Sequence, residues 1–155
     1  MFEPEAYNNP ALWTITGELP PPHVWPVILN NYIRPLTSLF YSEDIALVPS
    51  MGSCYRSPEY ELLKGRSGRS LHCFPTGTRG ACDITTYDKS QVIALIDILI
   101  DQLPFRRICV YPNNNFIHVD YGEGAGRSGD RRSLWKCDGP TRQWQLQSYL
   151  AEPVI

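Results

Sequence analysis

Three histidines occur in the chain, and two of them sit in short apolar segments beside acidic residues. The first segment is Ser70-Leu71-His72, followed after an insert by Gly80-Ala81-Cys82-Asp83-Ile84-Thr85; the second is Phe116-Ile117-His118-Val119-Asp120. His72, Asp83 and His118 together offer two imidazole nitrogens and a carboxylate oxygen. Three such ligands leave a fourth tetrahedral position for water, the arrangement of a catalytic zinc site rather than a closed structural one. In a strand alternate side chains share a face, so His118 and Asp120 point the same way. Asp120 then stands beside a metal-bound His118 as a hydrogen-bond acceptor, a fourth ligand or a proton acceptor. Cys82 and Asp83 point to opposite faces, which lets Asp83 face the metal while Cys82 does not. Pro75, Gly77 and Gly80 in the insert let it fold back so that its two ends meet.

The elements that must hold these residues can be read in order. Residues 1–22 are polar and proline-rich, ending in Pro20-Pro21-Pro22, and read as an irregular N-terminal arm; residues 23–155 read as a single domain. From His23 to Phe40, Val24, Val27, Ile28, Tyr32, Leu36, Leu39 and Phe40 recur at helical spacing, with Pro35 expected to kink or split the helix. Ile45 to Val48 reads as a short buried strand, Pro58 to Lys64 as a short helix stopped by Gly65, and Ala81 to Thr86 as a strand. Ser90 can cap a helix from Gln91 to about Leu103, with Val92, Leu95, Ile96, Leu99 and Leu103 on its inner stripe. Arg107 to Tyr111 and Phe116 to Tyr121, joined by Pro112-Asn113-Asn114-Asn115, read as a β-hairpin. A glycine-rich loop over 122–130 follows, then the segment around Leu134-Trp135 and a partly helical tail. This order predicts an α+β domain in which helices precede and cross a small antiparallel sheet.

Composition sets the outer bounds. At 155 residues, 43% hydrophobic and 19% charged, the chain has the length of one domain that buries a core without staples. A net charge of −2 and a pI near 5.9 give no overall basic field for nucleic acid or anionic membrane. The arginines of 66–79 and 127–132 read as parts of solvated loops. The longest apolar stretch, near 92–100, is broken by Asp97 and too short to span a bilayer, so no membrane insertion is expected. The N-terminus has no signal-peptide pattern, which predicts cytosolic synthesis. Five cysteines rule out complete pairing within one chain, and no Cys-x-x-Cys occurs. Cys54, Cys109 and Cys137 read as buried thiols.

The run Gly52-Ser53-Cys54-Tyr55-Arg56-Ser57-Pro58-Glu59-Tyr60, then Ser70-Leu71-His72 and Gly80-Ala81-Cys82-Asp83-Ile84, resembles the zinc D-alanyl-D-alanine carboxypeptidase family. That family includes the L-alanyl-D-glutamate endopeptidases that phages use as endolysins. Phe116-Ile117-His118-Val119-Asp120 looks like its last histidine-bearing strand, and Arg131-Arg132-Ser133-Leu134-Trp135 is similar to an Arg and Trp that follow it in one branch. The resemblance covers roughly residues 23 to 136. It implies a Hedgehog/D-Ala-D-Ala peptidase-like fold, Zn2+ held by His72, Asp83 and His118, and Arg56 contacting the substrate carbonyl or developing oxyanion. Ser70 matches the serine beside the first ligand, a hydrogen-bond donor in the substrate-binding region. A divalent zinc lowers the pKa of a water to about 7, and a guanidinium supplies fixed positive charge where the carbonyl oxygen becomes negative.

The implied protein is a monomeric zinc peptidase acting on peptidoglycan stem peptides, without nucleic-acid partners, reaching the wall after release or as part of a virion. Two departures from the pattern stand out. The spacing from His72 to Asp83 is four residues longer than the family's, and Asn115 occupies the position where many members carry the acidic base. Asp120 is the nearest acid and takes the general-base role in this reading. The alternative is a catalytically inactive structural or binding protein, such as a phage tail component, on the same scaffold. Cys73 and Cys82 each adjoin a proposed ligand. If the insert is a hairpin, their β-carbons come within disulfide reach, and the pair can staple the loop in an oxidising compartment; otherwise both are packed thiols.

Overall fold

The computed structural model describes residues 9–42, 47–48, 54–86, 89–113, 116–123, 131–137 and 143–153. Its helices are α1 (Trp25–Ile28), α2 (Arg34–Ser42), α3 (Pro58–Leu63) and α4 (Lys89–Gln102). The strands are β1 (Leu47–Val48), β2 (Ala81–Thr86), β3 (Arg107–Tyr111), β4 (Phe116–Asp120), β5 (Ser133–Cys137) and β6 (Trp144–Tyr149), in one sheet of order β1-β2-β4-β3-β5-β6. The fold is α+β, and none of the described helices is long and apolar enough to cross a membrane.

Pro35 acts as the sequence suggests, through a change of helix type. A proline has no N–H, and its ring collides with the carbonyl four residues back. Between α1 and α2 the backbone widens into a π turn at Leu29–Ile33, where the Arg34 amide donates to the Leu29 carbonyl. The Asn31 carbonyl, four residues before Pro35, accepts instead from the Tyr121 hydroxyl at 3.3 Å. The helical register survives the turn. Ile28, Tyr32 and Leu36 are all fully buried, each such side chain contributing about 1.5–3 kcal/mol.

The sheet has two unlike faces. Cys82, Ile84, Ile108, Ile117 and Val119 face the main core, with Leu99 and Leu103 of the α4 stretch, Ile28, Tyr32 and Leu36. Ile96 packs against the same core, whereas the side chains of Val92 and Leu95 lie outside the described residues, as do Asn114 and Asn115 of the hairpin turn. On the opposite face Cys109, Trp135 and Cys137 form a second cluster, with Tyr111 and Trp144 packed against it. His118 and Asp120 alternate with the core residues and share this second face.

Two expectations about the C-terminal half need correcting. The sheet is mixed, because β5 runs parallel to β3, with Arg107 opposite Ser133. β4 is already flanked by β2 and β3, so β5 takes the outer edge of β3. The chain leaves β4 at the end where β3 begins, so a strand started there runs alongside β3 in the same direction. The tail is a strand, not a helix: β6 pairs antiparallel with β5. Trp144 and Leu146 alternating with Gln145 and Gln147 has period two, which suits an edge strand.

The disulfide is also different. Cys54 bonds to Cys82, while Cys73 is a buried thiol. The stretch around His72 is a 3-10 turn (Leu71–Cys73) followed by Phe74 at φ +50, so no hairpin brings Cys73 to Cys82. Cys82 points away from Asp83 into the main core, where Cys54 is packed. Gly80 closes the insert at φ +66, and a Cβ there would lie 2.2 Å from the Phe74 ring. The bridge spans 28 positions, which stabilises the fold by about 3 to 4 kcal/mol in the chain-entropy account. Removing it in a Cys54→Ala, Cys82→Ala variant is expected to lower unfolding free energy by about that amount in denaturant titrations. A loss under about 1 kcal/mol would show that the bridge does not restrict the unfolded chain as that account requires.

Candidate metal centre

The arm packs beside the site from its Pro10–Trp13 turn onward. Trp13 is buried, and its carbonyl accepts from the amides of Cys54 and Tyr55 at 3.2 and 2.9 Å. This fixes the 54–56 segment, which in turn fixes His72: the Arg56 amide donates to the His72 carbonyl at 2.8 Å. Nδ1 of His72 donates to the Cys54 carbonyl at 2.7 Å. A carbonyl only accepts, so the His72 proton is on Nδ1 and its Nε2 lone pair is bare.

His118 is the mirror case. Its Nε2 donates to Asp120 Oδ2 at 2.6 Å, so in the neutral ring Nδ1 keeps its lone pair. Asp83 lies opposite His118 in the β2–β4 register and presents Oδ1 to both rings. His72 Nε2 and His118 Nδ1 are 3.1 Å apart, and Oδ1 lies 3.3 Å from the first and 3.2 Å from the second.

With both rings neutral, three acceptor atoms converge, an arrangement that a cation at its centre would satisfy. Ligands about 2.0–2.1 Å from a tetrahedral zinc stand about 3.3 Å from one another, close to the spacing seen here. His72, Asp83 and His118 form a buried group suited to a metal ion. Burial pushes the His72 pKa down, favouring the neutral ring a metal requires. Burial also acts to lower that of His118, but its hydrogen bonds to Asp120 and Asp83 outweigh this and raise it. Burial opposes ionisation of Asp83, yet the two imidazoles hold its carboxyl well below the usual range.

Asp120 lies behind the His118 ring and is fully buried. Oδ1 accepts from Arg107 Nε at 2.8 Å and the Gly122 amide at 2.7 Å; Oδ2 accepts from His118 Nε2 and from the second Arg107 nitrogen at 2.7 Å. All four lone-pair positions of the carboxylate are occupied. Burial works against its ionisation, but His118 and Arg107 hold the pKa well below the ordinary carboxylate value.

Arg56 donates to Asp83 Oδ2 at 3.0 Å, and its other terminal nitrogen is 3.9 Å from the buried Glu61. It thus orients one oxygen of Asp83 while the other faces the histidines. The Ser70 hydroxyl accepts from the His72 amide at 3.1 Å, capping the 3-10 turn, and keeps its own proton to donate. Both residues line a cleft of about 860 Å³ that contains His72, Asp83 and His118. Asn115 lies outside the described residues. Cys73 is held back from reactivity: burial pushes its thiol up to about 11.

Arg107, Tyr111 and Trp144 also line the cleft, and the motifs do not point to them. The Trp144 ring stands edge-on to His118 with centroids 4.8 Å apart, lies 5.0 Å from the Arg107 guanidinium and donates through Nε1 to the Tyr111 hydroxyl at 2.6 Å. Arg107 had a legible signal: counting outward from the hairpin turn pairs it with Asp120. Trp135, by contrast, is a core residue whose indole donates to Ser133. Arg132, read as part of a solvated loop, is buried.

Fold and site together define an α+β protein with a buried His-Asp-His group suited to a metal. No protein-family model, curated protein or solved structure matches the chain.

Proposed function

We propose that this protein is a zinc-dependent peptidase that hydrolyses peptide bonds in the cross-linking peptides of bacterial peptidoglycan. The observation that carries the reading is the convergence of two bare imidazole nitrogens and a carboxylate oxygen at the wall of an open cleft. The resemblance of the Arg56, His72–Asp83 and His118 segments to the D-alanyl-D-alanine carboxypeptidase family supplies the substrate class. His72, Asp83 and His118 would hold the zinc, which supplies an activated water and a Lewis acid for the scissile carbonyl.

The chain's own residues divide the remaining work. Arg56, fixed by Asp83 and facing the cleft, offers its guanidinium to the carbonyl oxygen as negative charge grows there. Asp120 is better suited to positioning than to the base role assigned from the sequence, since it has no lone pair left for a proton from the cleft. It holds the His118 proton on Nε2 and so keeps Nδ1 facing the site, with Arg107 locking the carboxylate in place.

The test is mass spectrometry of soluble fragments released from purified peptidoglycan, with and without a chelator. Fragments with new peptide termini that vanish on chelation are the expected result. Folded, zinc-containing protein that releases none would overturn the peptidase reading in favour of a structural role.

A further inference from the structure

We propose that the Cys54–Cys82 disulfide is a redox control on the metal centre: closed, it holds the ligands for tight binding, and reduced, it leaves a weak site. The proposal rests on His72, Asp83 and His118 as metal ligands and not on the peptidase substrate.

The three candidate ligands are not held together equally. Asp83 and His118 are cross-strand partners in the β2–β4 ladder, so the sheet fixes their separation. His72 lies outside the sheet, on the Leu71–Cys73 turn, and the chain joins it to Asp83 only through residues 73–82. The 54–56 segment is what positions it. The Cys54 carbonyl accepts from His72 Nδ1 at 2.7 Å, and the Arg56 amide donates to the His72 carbonyl at 2.8 Å. The same segment reaches Asp83, because the Arg56 side chain donates to Oδ2 at 3.0 Å. Yet this segment is no strand of the sheet; its ladder pairing among the described residues is an isolated bridge from Tyr55 to Thr14 of the arm. Its covalent tie to β2 is the disulfide, and Cys82 adjoins Asp83. A short path thus runs from His72 through one hydrogen bond to Cys54, across the sulfurs to Cys82 and on to Asp83.

Reduction opens that path. A dithiol reductant gives the bridge two electrons and two protons, its own sulfurs become a disulfide, and Cys54 and Cys82 become thiols. Two thiol sulfurs cannot stay at bonding distance, and both residues are fully buried in a close-packed core without slack to absorb the change. The 54–56 segment must therefore move relative to β2, carrying the acceptor of His72 and the donor to Asp83 with it. A binding constellation tolerates only about 0.5 Å of such displacement. Both displaced groups are outer partners of ligands, whose loss lowers metal affinity roughly 10- to 100-fold. The centre is thus weak in a reducing compartment and tightens in an oxidising one.

The test is zinc affinity, by competition with a chromophoric chelator, on oxidised protein and on protein refolded under dithiothreitol and desalted without oxygen. Alkylation and mass spectrometry verify the two states, three thiols against five. A Cys54→Ala, Cys82→Ala variant is a second open form, with no new thiols to bind zinc. Leu103→Ala, a truncation in the main core, controls for lost stability alone. The open forms are expected to keep their near-ultraviolet circular dichroism and to bind zinc about tenfold or more weakly than the oxidised protein, with Leu103→Ala unchanged. Oxidised-state affinity in either open form, an equal loss in Leu103→Ala, or loss of fold in both open forms would each overturn the proposal. Zinc bound by no form would remove the metal centre itself. Equal binding by all forms would leave that centre standing and sink the redox control alone.

Discussion

If the proposed zinc site holds, the His118→Ala variant is expected to lose zinc affinity, measured by competition with a chromophoric chelator, and to retain its fold. Removing one of three protein ligands takes away a donor and leaves Asp83 and His72 too few to hold the ion against water. The loss should well exceed the roughly 10- to 100-fold that accompanies loss of an outer partner of a ligand. Asp120→Asn supplies that comparison. It keeps a hydrogen-bond acceptor near His118 Nε2 but removes the charge that fixes the proton there and leaves the buried Arg107 without its anion. Its affinity should fall within the smaller range. Two outcomes would sink the assignment: wild-type affinity in His118→Ala, or a larger loss in Asp120→Asn than in His118→Ala. The ordering matters because a cluster held together only by ion pairs would respond most to the loss of the buried carboxylate. Circular dichroism of each variant separates loss of metal from loss of fold.

How much of this site the sequence made legible depends on the range of each contact. The pairing of His118 with Asp120 follows from strand alternation alone, and the structure puts both side chains on one face. The hairpin register also follows from a local turn, and Arg107 opposite Asp120 was implied by it. The Cys54–Cys82 bridge was not legible, because it depends on a 3-10 turn at Leu71–Cys73 and on which face of β2 meets the 54–56 segment. Neither is encoded within a window of neighbouring residues. The tail was misread for a related reason. β6 exists because β5 offers an open edge, and β5 lies there because β4 is already enclosed. Tertiary pairing of this sort overrides weak local preference. The closeness of Trp144 to His118 comes from that same placement, so the wall of the cleft it forms was hidden with it.

Arg132 is the clearest case of a residue whose role reverses between sequence and structure, and its replacement should have a large effect on stability. Its guanidinium donates to four carbonyls: Phe105 at 2.9 Å, Ile100 at 3.1 Å, Leu103 at 2.9 Å and Ala151 at 2.6 Å. Ile100 belongs to the last turn of α4 and Leu103 follows it, where helical carbonyls have no partner of their own and a cation meets the negative end of the helix dipole. Phe105 leads into β3, and Ala151 follows β6. One buried side chain thus ties the end of the core helix to the start of a central strand and to the end of the edge strand. Arg132→Met keeps the apolar stem but leaves four carbonyls to find water or go unpaired. Bonds to a charged donor contribute about 1.5–3 kcal/mol each, and relaxation recovers part, so the net loss is on the order of 5 kcal/mol. That is comparable with the whole stability of many domains of this size, so the variant should unfold at a much lower denaturant concentration or fail to accumulate folded. Any folded fraction should keep the wild-type affinity for zinc, whatever its value, because Arg132 touches none of the three candidate ligands. A shift below about 1 kcal/mol would mean that water replaces the guanidinium freely, and that the junction is held by the backbone bonds of Ser133 and Leu150 alone.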